Sequence, residues 1–452
     1  MAPLRSAVWQ VLGTACVAAL LGAPAPAAAQ SLLQLYQTAH GYDAPYQSAL
    51  ANAQASQARA DQARAGLLPQ VGLQLGAQRN WADTQVGGMG GSVSFNTLNG
   101  SIVGSQPLYR PANRINWDQG KKSAELAQVQ VSGTEQDLIV RLAQAYFDVL
   151  AAEDALGFVR ALKAAVAEQL ASAQRNFEVG NATITDSREA QARFDLATAQ
   201  EIAADNDLRV KRLALDQLVG LTGVQPRPLV QPVTLPRPQP DDVNVWVEQA
   251  QAQHPAVLQA RMAQELARLE TAKAKTGHLP TVDLQASVGQ NRYPDGNPAF
   301  AAAPGSRYRS TNAGIGVVLN WPLFAGFAVQ NRVRETLSLE DKAQADLDNA
   351  RRNVAQATRA AYFGVQSGHG QVAALEAAEQ SSLTALEANR LGYQVGVRIN
   401  IDVLNAQSQL YQTRRDLARA RYDVLVGMLR LKQASGVLSA NDLAPIEQLL
   451  VQ

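Results

Sequence analysis

The 452-residue chain is long enough for two or three ordinary domains or one large one. Its 40 Lys and Arg balance 39 Asp and Glu for a formal charge of +1, so it lacks the basic field of a nucleic-acid binder, and nucleic acid is excluded as a partner. Charged residues at 17% and aromatics at 6% are sparse, and alanine dominates the apolar fraction, which leaves few large side chains for one thick core.

Residues 1–29 read as a signal peptide: Arg5, an apolar stretch from Val8 to Gly22, then Ala27-Ala28-Ala29 before Gln30 as an A-x-A cleavage site. The only cysteine, Cys16, lies inside it, so the mature chain is expected to be cysteine-free. No later stretch reaches eighteen apolar residues, which excludes a transmembrane helix. An exported chain of this kind either stays soluble or enters a membrane as a β-barrel.

A first repeat spans 30–224. It opens with an Ala-rich helix that includes Ala51-Asn52-Ala53-Gln54-Ala55 and leads through Gly66-Leu67-Leu68-Pro69 into an alternating segment. There Val71, Leu73 and Leu75 alternate with Gln70, Gly72, Gln74 and Gly76, the period of a two-faced strand. Gly87 to Gly91 reads as an external loop, and Val93 to Val103 as a noisier second strand ending at Gln106-Pro107-Leu108-Tyr109. From Leu138 apolar or Ala positions recur at 142, 145, 149, 152, 156, 159, 162, 166, 170, 173 and 177, a narrow stripe of coiled-coil spacing. A helix from Ala112 to Phe177 would be roughly 100 Å long, too long for any compact domain. A short turn then leads to a return helix from Asp186 to Val219, where Asp186 with Glu189 reads as a capping-box pair.

Six prolines between 226 and 240 make 225–240 a linker. The second repeat, 241–436, follows the order of the first, and 437–452 form a tail. Tyr146 and Tyr362, Gly180 and Gly396, and Asp186 and Asp402 are each 216 residues apart. Pro69 and Pro280 are 211 apart, and Pro107 and Pro322 are 215 apart. Strands are expected at Val282 to Val288 and Ala313 to Trp321, with a long loop from Tyr293 to Arg309 and helices from Val329 to Tyr393 and Asp402 to Ala434. Trp81, Tyr109, Tyr293, Tyr308 and Trp321 near the strand ends suit membrane-interface girdles. Four strands cannot close a barrel, so if they are membrane strands several chains must share one. The helices alone would also suit a pore-less periplasmic scaffold.

No catalytic constellation stands out. His40, His254, His278 and His369 lack metal-ligand spacing, and no nucleophile elbow or phosphate loop is present, so neither enzyme activity nor a cofactor is expected.

The two helix turns carry a resemblance. Phe177-Glu178-Val179-Gly180-Asn181-Ala182-Thr183-Ile184-Thr185-Asp186 and Tyr393-Gln394-Val395-Gly396-Val397-Arg398-Ile399-Asn400-Ile401-Asp402 resemble the paired tips of the TolC family of outer-membrane channel proteins. Asn405-Ala406-Gln407 and Leu417-Ala418-Arg419-Ala420-Arg421-Tyr422 are similar to the same family, in family order. The resemblance implies an α+β membrane protein of the Gram-negative outer membrane. In it a homotrimer closes a twelve-stranded barrel in lipid, four strands per chain, continued by an α-helical barrel through the periplasm. It implies a passive exit duct for type I protein secretion, or for efflux of small molecules, working with a periplasmic adaptor (membrane fusion protein) and an inner-membrane transporter. It further implies a pore gate at Asp402 and Asn405, the second standing where the founding member carries an acid, with Asp402 a candidate inhibitory cation site. Tyr393 and Arg398 match gate-latch positions with Asp186 and Thr185 as partners, and Val179, Gly180, Val395 and Gly396 mark adaptor-contact tips.

Overall fold

The computed structural model describes residues 30–86, 89–180, 183–295 and 307–451. The signal peptide and its cleavage site lie outside the described residues, as do Gly87 and Gly88, Asn181 and Ala182 of the first tip, and 296–306 of the long loop.

The first repeat comprises α1 (Leu32–Tyr42), α2 (Ala44–Ala65), β1 (Gln70–Val86), β2 (Met89–Tyr109), α3 (Pro111–Glu178) and α4 (Ile184–Val219). The second comprises α5 (Val243–Gln253), α6 (Pro255–Lys275), β3 (Thr281–Tyr293), β4 (Tyr308–Asn320), α7 (Ala328–Gln394) and α8 (Asn400–Ala434), and one turn, α9 (Ala444–Glu447), lies in the tail. Each repeat enters its strands through two helices rather than the single helix expected. The breaks fall at Asp43 and His254, equivalent positions whose side chains cap the following helix by accepting from Tyr46 N and Ala256 N. Pro45 and Pro255 stand in the first turn of those helices, where a missing N–H costs nothing but the preceding helix cannot continue.

The strands form one antiparallel sheet in the order β1-β2-β3-β4. They run to 17, 21, 13 and 13 residues, longer than the ten or so expected. Val86 pairs with Met89, so Met89, Gly90 and Gly91 belong to a strand of a tight hairpin and not to an external loop. Register places Leu73, Ile102, Val288 and Ala313 in one row, with Leu75, Val282, Leu284, Ile315, Val317 and Leu319 on the same face. The other face carries Gln74, Ser101, Ser287 and Asn312. One face suits lipid and the other water. Trp81 and Trp321 fall on the apolar face as girdle residues should. Tyr293 and Tyr308 fall on the polar face, where the Tyr293 ring lies 6.3 Å from Phe95 and 5.7 Å from Tyr308, so parity removes them from the lipid girdle. Arg110, at the junction of β2 and α3, grips Asp283 of β3 with both guanidinium arms, Nε to Oδ1 at 2.7 Å and Nη2 to Oδ2 at 2.6 Å.

At 68 and 67 residues, α3 and α7 are each roughly 100 Å long. Their narrow stripes are buried by return helices: Leu138, Leu142, Val149, Ala152, Leu156, Val166 and Ala173 of α3 are all buried. The thickest core is a belt part-way along the helices, where Leu32, Leu35, Leu142, Phe147, Leu215, Leu425 and Leu429 meet Leu443, Ile446 and Leu450 of the tail. The linker is tied into this belt: Val230 N donates to Leu449 O at 2.8 Å and Val451 N to Pro228 O at 2.9 Å. The duplicated tyrosines hold its two ends. Tyr146 OH donates to Arg227 O and accepts from Arg227 N, and Tyr362 OH donates to Asp241 Oδ1 at 2.7 Å.

Between belt and sheet, Glu270 of α6 accepts from Gln119 Nε2 of α3 at 2.9 Å and Arg332 Nη2 of α7 at 2.7 Å, with Lys273 at 3.3 Å. The Gln119 hydrogen bond and these cations hold its carboxyl at about 2, below the ordinary 4.5. A carboxyl depressed by folding stabilises above its unfolded pKa and loses that contribution as pH falls from about 4.5 towards 2. Glu270→Gln should therefore lower the melting temperature at neutral pH and narrow the gap to wild type near pH 3, read by thermal unfolding. An equal deficit at both pH values would assign Glu270 a purely packing role.

Candidate functional site

The far ends of the hairpins α3–α4 and α7–α8 are built alike. After α7, Gly396 adopts φ +78°, its N–H bonds Tyr393 O at 3.1 Å and Val397 N–H bonds Gly392 O at 2.9 Å. This six-to-one closure needs a left-handed residue, which is why glycine stands there. Gly180 shares the left-handed conformation after α3, with φ +80° and a 3.0 Å bond from its N–H to Phe177 O. These closures push Val179, Val395 and Val397 outward, at 69%, 65% and 79% exposure, as an apolar crown on each tip.

Asp186 caps its own helix in a pairing other than the one expected. Thr183 is the N-cap, its N and Oγ1 both donate to Asp186 Oδ2 at 3.0 and 2.8 Å, and Glu189 takes no part in the box. Thr185 lies in the same first turn. Within the described chain neither is a partner of Tyr393 or Arg398. Tyr393 OH instead accepts from Asn176 Nδ2 at 3.3 Å, and Arg398 Nη1 stands 3.6 Å from Asp402 Oδ2 one turn on. Asn405 Oδ1 accepts from Arg193 Nη2 at 2.8 Å. Asp402 and Asn405 thus share the first turns of α8 but face different cations.

Asn176 and Arg193 were invisible to sequence reasoning because each acts on the other hairpin, more than two hundred residues away. A second missed pair is Asn400 and Gln407, which are fully buried on α8 with side-chain amides unpartnered among the described atoms. Their seven-residue spacing, on the stripe that includes Val403, is the signal that could have revealed them. Leu404 beside them inserts into hairpin one against Val166, Ala173 and Ala190, while Val403 and Leu410 pack on Leu386 of α7.

Charge is distributed unequally between seams. Within hairpin one, Lys163 and Arg160 clasp Glu201, Lys211 pairs with Asp148 and Arg212 with Glu153. Within hairpin two, Arg414 pairs with Glu379 and Arg421 with Glu376. Among the described residues, the side-chain hydrogen bonds joining the hairpins have at least one uncharged member: Asn176 with Tyr393, Arg193 with Asn405, Arg430 with Gln144, and Tyr422 OH with Asp154 Oδ2 at 2.7 Å. Burial pushes the Asp154 carboxyl up, against the opposing pull of the Tyr422 hydroxyl, and burial raises Tyr422 as well. Charge-to-charge pairs thus close each hairpin, while the seam between hairpins is held by neutral or mixed hydrogen bonds and, at the belt, by the shared apolar core.

Residues 35–221 and 246–437 match the Outer membrane efflux protein family, one stretch per repeat. The chain belongs to that family. It is 34% identical to Outer membrane protein TolC of Vibrio cholerae, covering 95% of this chain and 96% of that one. It is 31% identical to Alkaline protease secretion protein AprF of Pseudomonas aeruginosa, over 92% and 86% of the two chains. The crystal structure of outer membrane protein VceC from Vibrio cholerae superposes with a TM-score of 0.76 at 18% identity, covering 90% of this chain and 96% of that one, which establishes the fold. This family member is an outer-membrane channel protein of α+β fold, an exit duct for secretion and efflux. The pore-less scaffold is not favoured.

Proposed function

We propose that three copies close one twelve-stranded barrel and that the duct serves type I protein secretion, with its helical tips contacted by a periplasmic adaptor and an inner-membrane transporter. The observation that carries this reading is an amphipathic four-stranded sheet, open at both edges, continued by helices of roughly 100 Å. Protein cargo is favoured over small molecules by the similarity to AprF, named for alkaline protease secretion. The apolar crowns at Val179, Gly180, Val395 and Gly396 suit an adaptor's apolar tip. The duct assigns no residue a catalytic role. The test is gene deletion with complementation, comparing secreted protein with drug susceptibility. Loss of a secreted protein with unchanged susceptibility supports this reading, and the converse assigns the duct to efflux.

The same proposal takes Asp402 and Asn405 as the gate and Tyr393 and Arg398 as its latch. Tyr393→Phe with Arg398→Ser should raise single-channel conductance in planar bilayers. The Tyr393 hydrogen bond is worth about 0.5–1.5 kcal/mol and the exposed Arg398–Asp402 ion pair at most about 1 kcal/mol, so the tips loosen while the protein stays folded. Unchanged conductance in the folded double variant would leave Tyr393 as packing against Leu386, Val403 and Leu410.

A further inference from the structure

The sheet has two open edges, β1 and β4, and the chain's own duplication specifies how they meet. Pro69 and Pro280 precede β1 and β3 at a spacing of 211 residues, and Pro107 and Pro322 mark the ends of β2 and β4 at a spacing of 215. Adding 211 to β1 and 215 to β2 turns Gln70↔Ser105 into Thr281↔Asn320, and Leu75↔Gly100 into Ala286↔Ile315. Both are observed pairs of the second hairpin. The duplication is therefore a geometric symmetry of the sheet as well as a similarity of sequence.

One interface remains to be copied. The same offsets convert β2 into β4 and β3 back into β1, so the observed β2–β3 register has an image in the contact between two chains. Ser105↔Gln285 becomes Asn320↔Gln74, Gly104↔Ala286 becomes Leu319↔Leu75, and Ile102↔Val288 becomes Val317↔Ala77.

We propose that β4 of one copy pairs antiparallel with β1 of the next in this register, with Leu319 opposite Leu75 and Asn320 opposite Gln74. The proposal rests on the shared-barrel reading above and goes beyond it by naming the pairs. Two observations that played no part in its derivation agree with it. Tyr308, the outer end of β4, comes opposite Val86, the outer end of β1, so both strands finish at one level. Leu75 and Leu319, exposed in the single chain, lie on one apolar face, Trp81 meets the small Ala313, and Val318 meets Gly76. A slip by one residue would turn lipid-facing side chains of one strand against water-facing ones of the other. A slip by two preserves the faces and must be tested.

Directly opposed residues have Cα atoms about 4.5–5.5 Å apart, within disulfide reach, whereas partners displaced by two lie at about 7–8 Å, at or beyond its limit. With a chain cysteine-free after Ala29, Leu75→Cys with Leu319→Cys, and on the other face Gln74→Cys with Asn320→Cys, are oxidised in outer membranes and run on non-reducing gels. Opposed pairs alternate in hydrogen bonding along the ladder, so the two variants sample both kinds. At least one should give covalent dimers and trimers, reversed by reductant, with at least tenfold more product than Leu75→Cys with Val317→Cys or Leu75→Cys with Trp321→Cys. A displaced pair that links better than both opposed pairs overturns the register, as does an intact trimer in which no pair links. A membrane-extracted protein that is monomeric by light scattering overturns the shared barrel itself, and the register falls with it.

Discussion

Leu404→Ala should yield a channel that assembles but leaks, with resting conductance in planar bilayers raised several-fold. Leu404 is wholly buried, and its neighbours Val166, Ala173 and Ala190 belong to the other hairpin, so the cavity opens in the seam between hairpins. Truncating a buried leucine costs about 2–5 kcal/mol, more than the single hydrogen bond Asn176 makes with Tyr393, worth about 0.5–1.5 kcal/mol. The ion pairs that close each hairpin, such as Lys163 with Glu201 and Arg414 with Glu379, are untouched. The loss therefore favours separation of whole hairpins over their unravelling. Leu142→Ala is the control. It removes the same atoms from the belt core, far from the tips, and should lower the melting temperature with conductance unchanged. Equal destabilisation by both changes without added conductance would show that the Leu404 seam does not gate the pore.

What could be read from the sequence was whatever repeats or alternates. Period-two segments located four strands, a 3.5-residue stripe running from Leu138 to Phe177 marked the C-terminal part of α3, and the constant spacing of Tyr146, Gly180 and Asp186 from their counterparts revealed the duplication. Local chemistry was less legible. The glycines at 90 and 91 have loop composition yet extend a hairpin, because Met89 to Gly91 pair with Thr84 to Val86. Tyr293 and Tyr308 sit near strand ends, as girdle residues do, but only the register shows that they face the polar side. Asp186 begins a return helix, yet Thr183 three residues earlier takes the N-cap and claims its carboxylate. The inter-hairpin partners Asn176 and Arg193 left no periodic trace, since a stripe reports which face is buried and not what lies across it. The paired end-tethers Tyr146 and Tyr362 stood out as a repeat, but their task became visible only when the linker lay against them.

Asn405→Asp should tighten the resting gate without strengthening block by cations. The sequence suggests the opposite, since an added acid near Asp402 would enlarge a ring of negative charge around a threefold axis. Arg193 reverses the expectation: its Nη2 lies 2.8 Å from Asn405 Oδ1, so a carboxylate there meets a guanidinium across the hairpin seam. A hydrogen bond to a charged group is worth about 1.5–3 kcal/mol against about 0.5–1.5 for a neutral pair, and because Arg193 is already charged, an exposed Asn405 gains only about 1 kcal/mol per copy. Three copies acting together should lower resting conductance severalfold, with trivalent-cation block close to wild type. Asp402→Ala should abolish most of that block, because among the described residues Asp402 pairs with Arg398 alone, at a longer 3.6 Å, and stays free to meet an entering cation. The deciding variant combines Asn405→Asp with Arg193→Ala. Freed of its guanidinium, the new carboxylate should join Asp402 and deepen the block at fixed ionic strength, while resting conductance returns towards wild type or above. If Asn405→Asp alone deepens the block as much as the combination does, Arg193 does not hold residue 405, and both side chains face the pore independently.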